Sequence, residues 1–268
     1  LHPRTTGPVV MGVVNVTPDS FSDGGRFLDA DAAIEHGRAM LADGAAWLDV
    51  GGESSRPGAE PVSSEIELER VIPVVEALAD DGLVSIDTVK PAVARAAVAA
   101  GATMINDISA SLAAVAGELG VAWVAMHCQG TPRTMQDAPR YDDVVAEVTA
   151  DLADATEVGR AAGVSQIYVD PGIGFGKTTQ HNLTLLAHLD RLVALGFPVV
   201  VGASRKRFIG EIHSRADHRS EPGARLAAVD DRLEGSLAVA TWASAQGAAI
   251  VRVHDVRATV QAVRVVAA

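Results

Sequence analysis

The feature that most limits the fold of this chain is an alternation repeated eight times. A short apolar run ends on or beside a polar residue, and a helical segment follows. The apolar runs are Val9–Val16, Ala46–Val50, Val84–Asp87, Thr103–Asn106, Ala122–Met126, Ile167–Asp170, Pro198–Val201 and Ala249–Val253. Their lengths suit strands covered on both faces. Helical spacing falls between them, over Asp29–Gly44, Ser63–Asp81, Lys90–Ala100, Leu112–Leu119, Tyr141–Gly163, Asn182–Leu195, Arg232–Gly247 and Val256–Val266. Helical crossovers make consecutive strands parallel. Eight such units in about 250 residues predict an α/β fold, a closed (β/α)8 TIM barrel. No linker composition interrupts the 268 residues, so residues 1–268 read as a single domain. The rival is an open doubly wound sheet. It calls for Gly-x-Gly-x-x-Gly after the first strand, and the polar loop Thr17–Gly25 stands there instead.

Within this frame, Ala32, Ala33, His36, Ala39 and Met40 mark one side of the first helix. Ser64 reads as the cap of the second, with Glu67 three residues on. The charged stretch His213–Asp231 reads as an excursion after strand seven.

Composition excludes several classes. Hydrophobic residues make up 48% and aromatics only 4%, so the core is built of Ala, Val and Leu. A net charge of −12 leaves no global positive field for nucleic acid or anionic lipid. The single cysteine, Cys128, rules out an intrachain disulfide and a cysteine zinc cluster. No apolar run approaches the roughly 18 residues of a membrane span, and Leu1–Pro8 lacks the form of a signal peptide. The expectation is a cytoplasmic protein without nucleic-acid or membrane partners.

Polar groups gather where the strands finish: Asn15, Asp49, Asp87, Asn106, His127, Asp170, Ser204 with Lys206, and Arg252 with His254. Taken singly, an Asp or Asn at a strand end is an ordinary turn former. Taken together at the one rim where barrel active sites lie, they predict a site. Asp87, Asn106 and Asp170 offer acceptors and donors that a flat heterocycle with ring N–H, amino and carbonyl groups would satisfy. Arg252 and His254 are two apart and share a face. Arg56 can join them from the Leu48–Ala59 segment, whose Gly and Pro residues turn a strand into a loop. Ser204-Arg205-Lys206-Arg207 adds three cations, and guanidinium forks suit phosphate oxygens. The amide of Asn15 is a candidate Mg²⁺ ligand if phosphates supply the rest. His127 reads as a hydrogen-bonded strand-end histidine and Cys128 as structural. The run Gly172–Lys177 lacks Walker spacing, and its glycines read as room for a ligand against the backbone.

Longer segments carry a resemblance. They are Met11–Gly24, Leu48–Ala59, Ser85-Ile86-Asp87-Thr88, Asn106-Asp107-Ile108, Met126–Gly130, Asp170–Lys177, Gly202–Lys206 and Arg252–Val256. In this order, and across essentially the whole chain, they resemble the dihydropteroate synthase family of pterin-binding enzymes. The resemblance implies a transferase of folate biosynthesis, usually a homodimer and a sulfonamide target. The reaction it implies joins 6-hydroxymethyl-7,8-dihydropterin pyrophosphate to 4-aminobenzoate with release of pyrophosphate. Asp87, Asn106, Asp170 and Lys206 then correspond to pterin contacts, with Met126 packed on the ring. Asn15, Arg252 and His254 correspond to the Mg²⁺–pyrophosphate site, and Ser55, Arg56, Phe175, Ser204 and Lys206 to the aminobenzoate side. Lys206, Arg252, Asp87 and Asp49 would carry the chemistry, with no nucleophilic side chain required. Three features depart from the family: Ala110-Ser111 in place of a glycine pair, Cys128 where Met is common, and the length of the His213–Asp231 excursion.

Two related readings and one distant one compete. A corrinoid-linked methyltransferase would share Asp87, Asn106 and Asp170 but has no need of Ser55-Arg56 or Ser204–Lys206. A non-catalytic paralogue would not need the cations and both loops. A sugar-phosphate barrel explains the cations but not the three base-reading groups.

Overall fold

A computed structural model of the chain describes residues 7–17, 26–56, 58–131, 133–217 and 226–268. The strands are β1 (Val9–Asn15), β2 (Trp47–Gly51), β3 (Leu83–Asp87), β4 (Met104–Asp107), β5 (Ala122–Met126), β6 (Ile167–Asp170), β7 (Val200–Val201) and β8 (Ile250–Val253). The helices are α1 (Arg26–Ala42), α2 (Ser64–Ala79), α3 (Pro91–Ala99), α4 (Ala113–Leu119), α5 (Val144–Ala161), α6 (Thr179–Ala187), α7 (Leu189–Val193), α8 (Arg207–Asp217), α9 (Leu233–Ala245) and α10 (Val256–Ala267).

All strand pairs are parallel, in the order β6-β5-β4-β3-β2-β1-β8-β7. A further parallel bridge joins Val169 to Val199, next to the bond from Val169 N to Pro198 O (3.1 Å). That contact brings β6 against β7 and closes the sheet into the eight-stranded barrel. The open doubly wound alternative is thereby excluded.

Strand parity divides the core in two. Val10, Val14, Leu48, Val50, Ile86, Ile105, Val169 and Val251 pack outward on the helices, joined by Val71, Leu78, Leu152 and Leu185. The other parity points inward. At the lower end of the barrel it supplies an apolar plug of Met11, Met104, Val124, Tyr168, Val200 and Ile250, with Trp47 against it. One step of two residues toward the C-terminal end, the same parity delivers Asp49, Asn106, Met126, Asp170 and Arg252. The plug fills the barrel floor, so the polar layer has only one way to open.

Several local expectations change. The buried side of α1 is Ala33, Gly37 and Met40, while His36 and Ala39 are exposed. Gly37 sets this face: a Cβ there would lie 2.7 Å from Leu78 on α2. Ser63, not Ser64, caps α2, accepting from Ile66 N. The segment read as one helix over Asn182–Leu195 breaks at His188 into α6 and α7. His213–Asp217 is not excursion but the last part of α8. Residues 218–225 of that excursion, residues 18–25 of the loop after β1 and Pro57 lie outside the described residues.

Candidate active site

A cavity of about 730 Å³ opens at the C-terminal end of the barrel. Asn15, Ser55, Arg56, Asp87, Phe175, Ser204, Lys206, Arg252 and His254 all line it. Asp49, Asn106, Met126 and Asp170 lie behind that surface and are buried. The strand-end residues therefore form one site in two layers.

Arg252 organises the inner layer. Its Nε donates to Asp49 Oδ2 (2.5 Å) and its Nη2 to Asp87 Oδ2 (2.7 Å). Asn106 Nδ2 donates to the same Asp49 oxygen (2.9 Å). Asp49 is fully buried; its Oδ2 accepts from both Arg252 and Asn106 and holds them in place, while its Oδ1 has no hydrogen-bond partner among the described residues. Two of the five guanidinium donors are used by the carboxylates and the rest stay available to an anion. Burial would discharge Arg252, but Asp49 and Asp87 more than offset it and push its pKa up.

The carboxylates respond in the other direction. Burial raises Asp87 to about 7; Arg252 and Lys206 pull it down while Asp49 and Glu67 push it up. Asp170 is also raised by burial, although Gly172 N donates to its Oδ1 (2.7 Å). These are acceptors that gain from a donor-rich ring.

The Ser204–Arg207 run does not act as one cluster. Arg205 turns away to Asp255 (2.6 and 3.0 Å), in a left-handed backbone conformation (φ 59°). Arg207 pairs with Glu211 (2.8 Å). Lys206 alone points to the barrel layer. Its Nζ donates to Ile173 O and lies 4.2 Å from the centroid of the Phe175 ring. Burial lowers Lys206 to about 8, against the pull of Asp170 and Asp87. Ser204 Oγ meets His254 at its backbone N (3.2 Å) and Nδ1 (3.1 Å). Burial, then Arg252, presses His254 down to about 3, so this imidazole is neutral at pH 7.

Phe175 belongs to a small apolar cluster with Met126, Ile108 and Met135, beside Cys128. Burial raises the Cys128 thiol, in keeping with a structural role. His127 is held as expected, with Nδ1 2.8 Å from Lys177 Nζ and Nε2 3.2 Å from Asp151. The glycines of the Gly172–Lys177 run are the correction here. Gly172 and Gly176 do not make room for a ligand against the backbone, and only Gly174 of the three lines the cavity. A Cβ on Gly172 would sit 1.8 Å from His127 O, one on Gly176 2.4 Å from Gln129 O, and one on Gly174 2.9 Å from Lys206 Cδ. All three also have positive φ. They let this loop lie on the end of β5 and let Lys206 cross it.

The strand-end reading missed three groups. Lys177 lines the cavity and is otherwise enclosed, its ammonium on Phe175 O (2.9 Å); burial lowers it to about 7. Asp107 is fully buried and collects Ser109 N, Leu112 N and Trp123 Nε1 ahead of α4. The Asn-Asp-x-Ser run was the available sign of that Asx turn. Lys90 bridges Glu53 and Glu67.

The family model described as pterin binding enzyme matches residues 11–254. A dihydropteroate synthase of Mycobacterium leprae is 49% identical over 97% of this chain and 92% of its own length. The chain belongs to the dihydropteroate synthase family. Among solved structures of that family, the Xanthomonas albilineans enzyme with 4-aminobenzoic acid has a TM-score of 0.87 at 48% identity, covering 96% of this chain and 91% of that one. The same enzyme in complex with 7,8-dihydropteroate has a TM-score of 0.84 at 45% identity, covering 96% and 92%. Membership of that family disposes of the sugar-phosphate barrel and of the methyltransferase reading.

Proposed function

We infer that this chain is a dihydropteroate synthase, condensing 6-hydroxymethyl-7,8-dihydropterin pyrophosphate with 4-aminobenzoate to 7,8-dihydropteroate and pyrophosphate. The observation that carries the reading is one cavity lined by Asp87, Arg252 and Lys206 on its inner side and by Ser55, Arg56 and Ser204 on its outer side, with Asn106 and Asp170 buried behind the inner wall. The inner carboxylates and amide accept and donate to the pterin ring edge, and Met126 packs on its face. Lys206, over Phe175 and close in charge to Asp170, borders both substrates.

Arg252 and His254 receive the pyrophosphate. Charge grows on the leaving oxygen as its bond to the pterin methylene carbon breaks, and the spare Arg252 donors stabilise it. His254 has Nδ1 engaged by Ser204, which leaves Nε2 for a phosphate oxygen. The aminobenzoate nitrogen then bonds to the methylene carbon and gives up a proton to the released pyrophosphate or to solvent water. The Ser55-Arg56 segment and Phe175 orient that nitrogen and keep water from the same carbon. Asp49 works through Arg252 and Asn106 as a positioning residue.

Mg²⁺ is the proposed cofactor. Among the described residues no group of three or more His, Cys, Asp or Glu is placed to hold a metal. Asn15 lines the same cavity as Arg252 and His254, and an ion there would be held by its amide, waters and substrate phosphates rather than by a protein cage. When bound, the ion adds charge stabilisation to the leaving pyrophosphate. A homodimer is the proposed assembly, supported by the exposed Trp242 on α9, which reaches Leu186 O on α6, a helix that also exposes Leu183. No helix among the described residues is long and apolar enough to cross a membrane, and a cytoplasmic location is proposed on that and on the acidic composition.

The test is pyrophosphate release with each of pterin pyrophosphate, 4-aminobenzoate and Mg²⁺ omitted in turn, for the wild type and Lys206→Ala. Release that needs all three and collapses in the variant is expected. Pterin binding by a folded wild type that never turns over would leave a non-catalytic paralogue in its place.

A further inference from the structure

Glu53 lies two residues beyond the end of β2. The structure puts it at the base of the loop that follows. Its Oε2 accepts from Lys90 Nζ (2.5 Å) and from Val62 N (3.0 Å). One carboxylate oxygen thus joins the two ends of the segment that carries Ser55 and Arg56. Lys90 Nζ also donates to Glu67 Oε2 on α2. Glu67 Oε1 accepts from Thr88 Oγ1 (2.6 Å), which in turn accepts from Lys90 N (3.2 Å). Arg70 Nη1 ties Gly52 O to α2 (2.7 Å). The side chain of Glu67 is 1% exposed, and those of Lys90 and Glu53 are 19% and 21%. Two carboxylates share one ammonium, in a place where neither is freely solvated.

We propose that Glu53 and Lys90 are positioning residues for the acceptor substrate: their ion pair fixes the Ser55-Arg56 segment over the cavity. The proposal rests on the reading above, in which that segment borders 4-aminobenzoate. Lys90 follows Asp87 by three residues at the end of β3, so the loop is anchored to the strand that presents a pterin acceptor. Without the ammonium, Glu53 and Glu67 repel each other and the loop base opens. A loop set in this way changes the affinity of the substrate it covers, while the pterin layer, held by Asp49 and Arg252, keeps its own contacts.

Lys90→Met, Lys90→Arg and Glu53→Gln test it. Lys90→Met is expected to raise the KM for 4-aminobenzoate about tenfold, the equivalent of one lost charge-assisted hydrogen bond. Affinity for pterin pyrophosphate by calorimetry stays close to wild type, and Lys90→Arg recovers most of the KM. Glu53→Gln keeps an acceptor for Val62 N and leaves Glu67 paired, so it reports the same effect in smaller degree if Lys90→Met fails to fold. Hydrogen exchange over residues 53–62 is read on the same proteins and does not depend on turnover. Faster exchange there, with the rest of the barrel protected, supports the clamp. Unchanged exchange and unchanged KM in folded Glu53→Gln or Lys90→Met overturn it, as does an equal loss toward both substrates that Lys90→Arg does not repair. A wild type without turnover sinks the synthase reading, and the exchange result still decides the clamp.

Discussion

The two inner groups that most shape substrate binding titrate close together, and that sets a pH profile. Asp87 is raised by burial to about 7, and Lys206 is lowered by burial to about 8. Binding of a pterin edge needs the Asp87 carboxylate as acceptor and the Lys206 ammonium as donor. Below 7 Asp87 gains a proton and the acceptor is lost. Above 8 Lys206 loses one and the charge is lost. kcat/KM for pterin pyrophosphate, which reports the free enzyme, is therefore bell-shaped with its top near pH 7.5. With those two values the competent fraction is about 0.6 at the top and about 0.09 at pH 6 or pH 9, a drop of about sixfold on either side.

Substitutions separate this from titration of the substrate. Asp49 does not line the cavity, but its charge pushes Asp87 up. Asp49→Asn removes that push and leaves Arg252 more fully to Asp87, so the acid limb moves down by about one unit, the order of a single close like charge. Lys206→Arg lowers the rate, and because guanidinium does not titrate here, it abolishes the alkaline limb. The measurement is initial-rate pyrophosphate release from pH 5.5 to 9.5 with pterin pyrophosphate varied. Substrate titration is common to all three proteins and cancels in the comparison. An acid limb unmoved in Asp49→Asn, or an alkaline limb kept in place by Lys206→Arg, refutes the assignment.

Other predictions follow from local geometry. Gly172→Ala sets a Cβ 1.8 Å from His127 O at positive φ and is expected to abolish the folded site, whereas Gly196→Ala, with nothing within 4 Å, costs only the about 1–2 kcal/mol of a left-handed residue; thermal melts of the two tell them apart. Asp107→Ala strands Leu112 N and Trp123 Nε1 and costs about 2–4 kcal/mol by urea unfolding. A wild-type midpoint would contradict that account of α4. Chelation stops pyrophosphate release and added Mg²⁺ restores it, with Asn15→Ala raising the Mg²⁺ needed about tenfold, the worth of one ligand bond; an unchanged Mg²⁺ titration removes Asn15 from the site. A 4-aminobenzenesulfonamide competes with 4-aminobenzoate in steady-state kinetics and not with the pterin, and a pattern without that competition argues against the Ser55–Phe175–Ser204 side as the acceptor pocket.

The barrel was legible because its signals are local. An apolar run bounded by Gly or a polar residue is decided within five or six positions, and eight of them in alternation leave few topologies. What was misread depended on partners distant in sequence. His36 and Ala39 have the spacing of a buried helix face, but the face is chosen by where Leu78 of α2 meets Gly37. The helix over Asn182–Leu195 is continuous by pattern and broken at His188 in space. α8 begins inside the basic run, and its polar surface hid it within an apparent excursion.

The site divides along the same line. Its residues could be named from the sequence because inward parity is a rule of two: Trp47 to Asp49, Met104 to Asn106, Tyr168 to Asp170 and Ile250 to Arg252 each step from plug to polar layer on one face, and Met11 reaches Asn15 in two such steps. Their pairing could not be. Asp49 and Arg252 lie 203 positions apart and Asp87 and Arg252 lie 165 apart, and nothing local shows that one guanidinium takes both carboxylates. The same gap explains the glycines of Gly172–Lys177. A positive φ can be read from Gly, but whether the freed space belongs to a ligand or to His127 O depends on which strand lies opposite. Polar identity at a strand end is thus written locally, while the charge state on which the chemistry turns is set by neighbours that only barrel closure supplies.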